Sequence, residues 1–190
     1  IQDPDVPFDK PRNKKKPETR ATLIKMIERL DLEIGRVLNT LDDEQVANNT
    51  LVIVTSDNGG AQGIARNLPL SGAKQMLLEG GIRVPLILRW PGVIPAGRKF
   101  SAPVTAMDLT ATVAAAGSAK PDRDKPFDGV DLLPAMTGKT ELPTDRPLFF
   151  RRRTVKVRQN QNVIRQSAVR QGDWKYLRTY KSNDKFTATL

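Results

Sequence analysis

Apolar side chains first fall into a regular pattern at Leu23, Met26, Ile27, Leu30, Ile34, Leu38 and Leu41. Their spacing of three and four residues predicts a helix of about five turns with one apolar stripe. Polar residues 42–49 predict a connection. Thr50-Leu51-Val52-Ile53-Val54-Thr55 then predicts a short strand, apolar on both faces as in a sheet covered by helices. Ser56-Asp57-Asn58-Gly59-Gly60 ends that strand in turn-forming residues. Residues 61–83 are glycine-rich and without period, too long for a plain connection and so a candidate functional loop. Residues 84–90 predict a second strand, with Pro85 tolerable at a strand start or an edge. Thr105-x-x-Asp108 fits a capping box ahead of a helix at 109–116 that Gly117 stops. One helical turn is expected at 131–136, before Gly138.

The two ends differ from this body. Pro4, Pro7, Pro11 and Pro17, with Lys14-Lys15-Lys16, predict an irregular, solvated arm over residues 1–20. Beyond Arg146 the texture changes to Pro147-Leu148-Phe149-Phe150. Ala168-Val169-Arg170 and Trp174-Lys175-Tyr176-Leu177-Arg178 flank Gln171-Gly172-Asp173, a hairpin pattern with a glycine in its turn. Residues 187–190 read as a strand cut short. A helix, a connection and a strand apolar on both faces predict an α/β sheet, and the change of texture places a domain boundary near residue 145.

Composition removes much chemistry. The 190 residues hold no cysteine and no histidine. Disulfides, Cys nucleophiles, Ser-His-Asp sites and Cys/His zinc sites are therefore excluded within the chain. Any metal would be a hard ion on oxygen ligands. No run approaches the ~20 apolar residues of a membrane helix, and no signal peptide is visible. A chain opening at Ile1 instead of Met is expected to be processed or a fragment. The net charge of +10 is concentrated in residues 151–190, where eleven bases face two acids. Such a face can attract a polyanion.

Three features carry candidate chemistry. Asp57-Asn58 stands at a strand's carboxyl end, where α/β sheets gather ligands, and offers the oxygen donors a divalent ion wants. A plain turn is the other reading. Lys74, in Ser71-Gly72-Ala73-Lys74, could bring an amine close to an anionic ester. It could equally be a surface lysine, and the spacing is not that of a P-loop. Glu79 and Arg83 could pair to hold the loop. Arg151-Arg152-Arg153 and the later bases form either a solvated face or a docking site for a polyanion. Only Trp174, Tyr176 and Tyr180 are interleaved there for stacking, and no RNA-binding signature is present, so nucleic acid is not the expected partner.

In order along the chain stand Met26-Ile27-Glu28-Arg29-Leu30-Asp31, Thr50 to Gly60, and Leu70-Ser71-Gly72-Ala73-Lys74. Glu79-Gly80-Gly81-Ile82-Arg83-Val84-Pro85 and Arg89-Trp90-Pro91-Gly92-Val93-Ile94-Pro95-Ala96-Gly97 follow. Asp128-Gly129-Val130-Asp131-Leu132-Leu133-Pro134 and Ala168-Val169-Arg170-Gln171-Gly172-Asp173-Trp174-Lys175 complete the series. Together, over roughly residues 20–180, they resemble the C-terminal half of the type I sulfatases, the arylsulfatase family of the alkaline-phosphatase superfamily.

The resemblance implies an α/β fold in which residues 1–145 are part of a mixed sheet covered by helices, in the catalytic domain, and residues 146–190 start a small antiparallel C-terminal sheet domain; it implies hydrolysis of sulfate monoesters around a bound calcium (Ca2+). It implies Asp57 and Asn58 as two calcium ligands, and Lys74 as the catalytic and substrate-binding lysine that contacts the sulfate group. That family's nucleophile is a formylglycine made from Cys or Ser in C/S-x-P-x-R, a motif this chain lacks. It is expected upstream of Ile1, so the chain alone is expected to be inactive. The substrate class expected is a sulfate ester, with sulfated polysaccharide favoured by the basic tail. Location is expected to be exported, periplasmic or extracellular. Two alternatives remain: a phosphoester or phosphonate hydrolase relative, and a non-catalytic basic module that binds polyanions.

Overall fold

The computed structural model of the chain describes residues 19–122, 124–154, 164–180 and 186–190. Up to residue 18, the expected irregular arm lies outside them. The chain divides into two compact units, Ile1–Leu88 and Arg89–Leu190. The boundary expected near residue 145 falls inside the second unit, just ahead of its antiparallel sheet.

The first unit opens with helix α1, Arg20–Asp43. Thr19 caps it by accepting a hydrogen bond from the Thr22 amide at 3.2 Å, as a short hydroxyl side chain does at an N-cap. Glu33 pairs with Arg29 at 2.7 Å and Arg36 at 3.1 Å along one exposed flank. The helix exists as its periodicity predicts, but its stripe is not a core. No residue of α1 is buried, and Ile27 and Leu30 are 57% and 59% exposed. A 3₁₀ turn at Ala47–Asn49 leads to strand β1, Val52–Thr55. Helix α2, Glu79–Ile82, precedes strand β2, Leu86–Arg89, which pairs with β1 in a two-stranded sheet. Both strands are half-buried, not enclosed on both faces, and Ile87 is exposed.

The second unit is built on helix α3, Ala106–Ala116. The expected capping box is present: the Asp108 carboxylate accepts from the Thr105 amide at 2.7 Å. Asp108 does more than cap. It is fully buried, accepts from the Val130 amide at 2.9 Å, and receives two bonds from Arg146 at 2.8 and 2.6 Å. Burial disfavours its charge, but the Arg146 guanidinium and the two backbone amides outweigh that and hold its carboxyl below the usual value. Thr112, one turn on, accepts from the Leu132 amide at 2.9 Å. These bonds lay residues 129–132 along α3, and helix α4, Leu133–Met136, follows. Leu132, Ala135 and Met136 are buried there.

Strands β3 (Leu148–Thr154), β4 (Ile164–Gln171), β5 (Trp174–Tyr180) and β6 (Phe186–Thr189) form a four-stranded antiparallel sheet in that order. The β4–β5 hairpin turns at Gly172-Asp173, with Gln171 paired to Trp174 and Gly172 at φ 54°. A left-handed backbone of that kind favours glycine. The mixed α/β architecture with an antiparallel sheet at its end is the one expected from the sequence.

Candidate functional site

The turn that follows β1 and the loop that precedes β2 meet through their backbones. Thr55 Oγ1 donates to the Pro85 carbonyl at 2.9 Å, tying the exit of β1 to the approach of β2. Ser56 Oγ donates to the Asn58 carbonyl at 2.8 Å and folds the Asp57-Asn58 turn upon itself. The Gly59 amide donates to the Gly81 carbonyl, and the Gly80 amide to the Ser71 carbonyl, at 2.9 and 2.7 Å. The Lys74 amide donates to the Gly60 carbonyl at 2.9 Å.

Glycine makes these approaches possible. A Cβ on Gly59 would lie 1.8 Å from the Gly80 oxygen, and one on Gly80 would lie 2.3 Å from the Gly72 oxygen. A Cβ on Gly81 would meet the Met76 oxygen at 2.2 Å. The glycine pairs at 59–60 and 80–81 are therefore contact surfaces between loop segments. This also explains helix α2, which forms across two adjacent glycines despite their poor helix propensity. Residues 61–83 were expected to be irregular throughout, and this one turn is helical because the packing requires it. Within that turn the Arg83 amide donates to the Glu79 carbonyl at 2.7 Å, a main-chain bond distinct from the expected pairing of the two side chains.

Asn67 completes the arrangement, and the sequence did not single it out. Its Oδ1 accepts from the Gly60 amide, and its Nδ2 donates to the Gly60 and Gly72 carbonyls, all at 3.1 Å. The Gly60 carbonyl thus accepts from both Asn67 and Lys74. A lone asparagine in a loop carries no sequence signal when its partners are carbonyls five and seven residues away.

Three side chains were expected to make the site. Asp57 and Lys74 are exposed and Asn58 is half-buried. Lys74 sits between buried Ala73 and Leu77, so an anchored loop presents a solvent-facing amine. Gln75, next to it, holds φ at 71°, a left-handed backbone uncommon outside glycine. The backbone bond from Lys74 to Gly60 sets the main chain of Lys74 against the segment two residues past Asn58.

Asp57 and Asn58 offer the hard oxygen donors that calcium prefers, and calcium takes about 6–8 of them. Among the described residues, no three acidic side chains gather to hold a metal ion. The pair fits as part of a ligand set. No helix among the described residues is long and apolar enough to cross a membrane.

Comparison with known proteins places these loops in context. The sulfatase family model matches residues 3–118, and that of the N-sulphoglucosamine sulphohydrolase C-terminal region matches residues 73–188. Human steryl-sulfatase is 39% identical over 137 residues, covering 65% of this chain and 23% of that protein. Dog N-acetylgalactosamine-6-sulfatase is 42% identical over 132 residues, covering 66% and 25%. The chain spans about a quarter of the length of these curated relatives. Among solved structures, Ps i-CgsB in complex with k-i-k-neocarrahexaose superposes with a TM-score of 0.72 at 30% identity, over 93% of this chain and 38% of that one. BT4656 in complex with its substrate D-glucosamine-2-N,6-O-disulfate gives 0.67 at 25% identity, over 86% and 32%.

Proposed function

The chain belongs to the sulfatase family, and from that membership we propose that it is the C-terminal part of a calcium-dependent hydrolase of sulfate monoesters. Residues 1–145 belong to its catalytic α/β domain, and residues 146–190 open the smaller C-terminal domain. Asp57 and Asn58 are two oxygen ligands of the calcium ion. Lys74 contacts the sulfate group and stabilises its charge. The bound calcium supplies Lewis-acid polarisation of the sulfate oxygens.

The observation that carries this reading is the hydrogen bond from the Lys74 amide to the Gly60 carbonyl at 2.9 Å. It fixes the backbone from which the exposed Lys74 side chain projects, next to the loop that carries Asp57 and Asn58. A lysine on a fixed backbone has less to reorganise when it meets an anion. The formylglycine nucleophile and the remaining metal ligands come from polypeptide outside this chain, and the chain by itself is inactive. A sulfated sugar is the substrate class, supported by the ligands of the solved relatives. The protein is exported.

Kinetics of the full-length polypeptide on an aryl sulfate and the matching aryl phosphate test this. Lys74→Ala should lower kcat/KM for the sulfate by roughly 10²–10³. Asp57→Ala should weaken calcium binding in a direct titration. Wild-type turnover by Lys74→Ala, or faster cleavage of the phosphate, would overturn the assignment.

A further inference from the structure

The antiparallel sheet of the second unit sorts its side chains in a way the sequence alone does not reveal. Cross-strand partners share a face, and the face alternates every residue. Arg151 stands opposite Ser167, which stands opposite Arg178. Arg153 stands opposite Arg165, which stands opposite Tyr180. Phe149, Val169 and Tyr176 form the next row on that face, and Trp174, paired with Gln171, lies at its end.

The opposite face carries Leu148 and Ala168, both buried, with Arg152, Arg170 and Lys175 half-buried beside them. On the arginine face, Val169, Tyr176, Arg178 and Tyr180 are half-buried. Arg151, Arg153 and Arg165 are exposed, and Phe149 and Trp174 are 72% and 69% exposed. Four arginines and the three aromatic residues interleaved in the basic segment therefore share one face, about 20 Å long by the rise of β5, on which Arg151, Arg153, Arg165, Phe149 and Trp174 are the exposed groups.

None of the four strands contains an aspartate or glutamate. Arg153 and Arg165 are directly opposed across a strand pair, an arrangement of like charges that costs stability. An anion between them would turn that cost into attraction. Arginine binds sulfate as a planar two-pronged donor, and flat aromatic rings suit the apolar faces of sugar rings. The Arg178 guanidinium already lies 5.5 Å over the Tyr180 ring, so the stacking and anion-binding groups adjoin.

We propose that this face of β3–β5 is a binding surface for sulfated oligosaccharide chains, in which Arg151, Arg153 and Arg165 take sulfate groups and Trp174 and Phe149 take sugar rings. The proposal rests on the reading of the substrate as a sulfated sugar, and it adds a second place at which such a chain is held.

Titration calorimetry on the full chain tests it, with a sulfated galactan hexasaccharide, its desulfated counterpart and a single-stranded thymidine oligomer as probes. The sulfated probe should bind with an affinity that falls as salt rises, and the desulfated one at least tenfold more weakly. The combined substitution R151Q/R153Q/R165Q should weaken binding roughly tenfold or more, as loss of charge-assisted bonds requires. R151K/R153K/R165K should restore only part of it, because lysine lacks the fork. Trp174→Ala, at an exposed site that leaves the fold intact, should weaken binding several-fold. Wild-type affinity in the folded glutamine variant, equal binding of the desulfated probe, or tighter binding of the thymidine oligomer would each overturn the proposal. Hydrolysis of a small aryl sulfate by the full-length polypeptide does not need this face, so failure here is distinguishable from failure of the sulfatase assignment.

Discussion

Arg146 donates two hydrogen bonds, at 2.8 and 2.6 Å, to the fully buried carboxylate of Asp108. The pair joins the N-terminus of α3 to the residues that lead into β3. Desolvating two charges makes such a bridge a modest net stabiliser, but breaking it leaves one charge buried without its partner. Arg146→Ala should therefore destabilise the second unit by about 3–5 kcal/mol, read as a lower denaturant midpoint. A loss under 1 kcal/mol would show that the carboxylate is satisfied without the arginine.

The same carboxylate sets a pH dependence. Asp108 has a pKa below its ordinary 3.8 in the folded state, so between the two values the unfolded chain binds more protons. Its contribution is fully present above the unfolded value and is lost as pH falls through the folded one. The stability difference between wild type and Asp108→Asn should hold steady from pH 7 to 5 and shrink below about pH 4. Thermal unfolding across that range measures it, and a constant difference down to pH 2 would contradict it.

Two glycine substitutions should move stability in opposite directions. At Gly35, in α1, a new Cβ meets nothing within 4 Å, so Gly35→Ala should stabilise by about 0.5–1 kcal/mol through helix propensity alone. At Gly80, in α2, the same gain in propensity is opposed by a carbonyl 2.3 Å from the new Cβ. The clash should win, for a net loss of about 1–3 kcal/mol. Urea unfolding of the two variants decides it.

Asn67→Asp keeps the shape of the side chain but removes both donors to the Gly60 and Gly72 carbonyls. It should destabilise the loop by about 1–3 kcal/mol. Amide hydrogen exchange at Lys74 should quicken, because that amide bonds to the same Gly60 carbonyl. In the full-length polypeptide kcat should fall with it. Unchanged exchange at Lys74 would remove Asn67 from any role in placing the lysine.

Local rules went far in this chain. The helical spacing of Leu23, Met26, Ile34 and Leu38, the capping box at Thr105 and Asp108, and the glycine turn at Gly172 each depend on residues within a turn or two. The structure contains all three. The buried strand expected at 50–55 was less secure. A run of β-branched residues specifies extended backbone, but its burial depends on what packs over it, and Val52, Ile53 and Val54 are only half-covered. The exposed Ile27 and Leu30 show the same limit on α1.

Apart from helix α2 and strand β3, the main elements are legible in the sequence: helices α1, α3 and α4, strands β1 and β2, the β4–β5 hairpin and the final strand β6. All of these follow from short-range sterics and periodicity. Tertiary structure alone makes Arg146 meet Asp108 across 38 residues, sets Asn67 to brace Gly60 beneath Lys74, and brings Arg151, Arg153, Arg165 and Arg178 from three strands onto one face with Trp174, Tyr176 and Tyr180. Each of these depends on strand register or chain reversal, which bring distant residues within bonding distance only after folding.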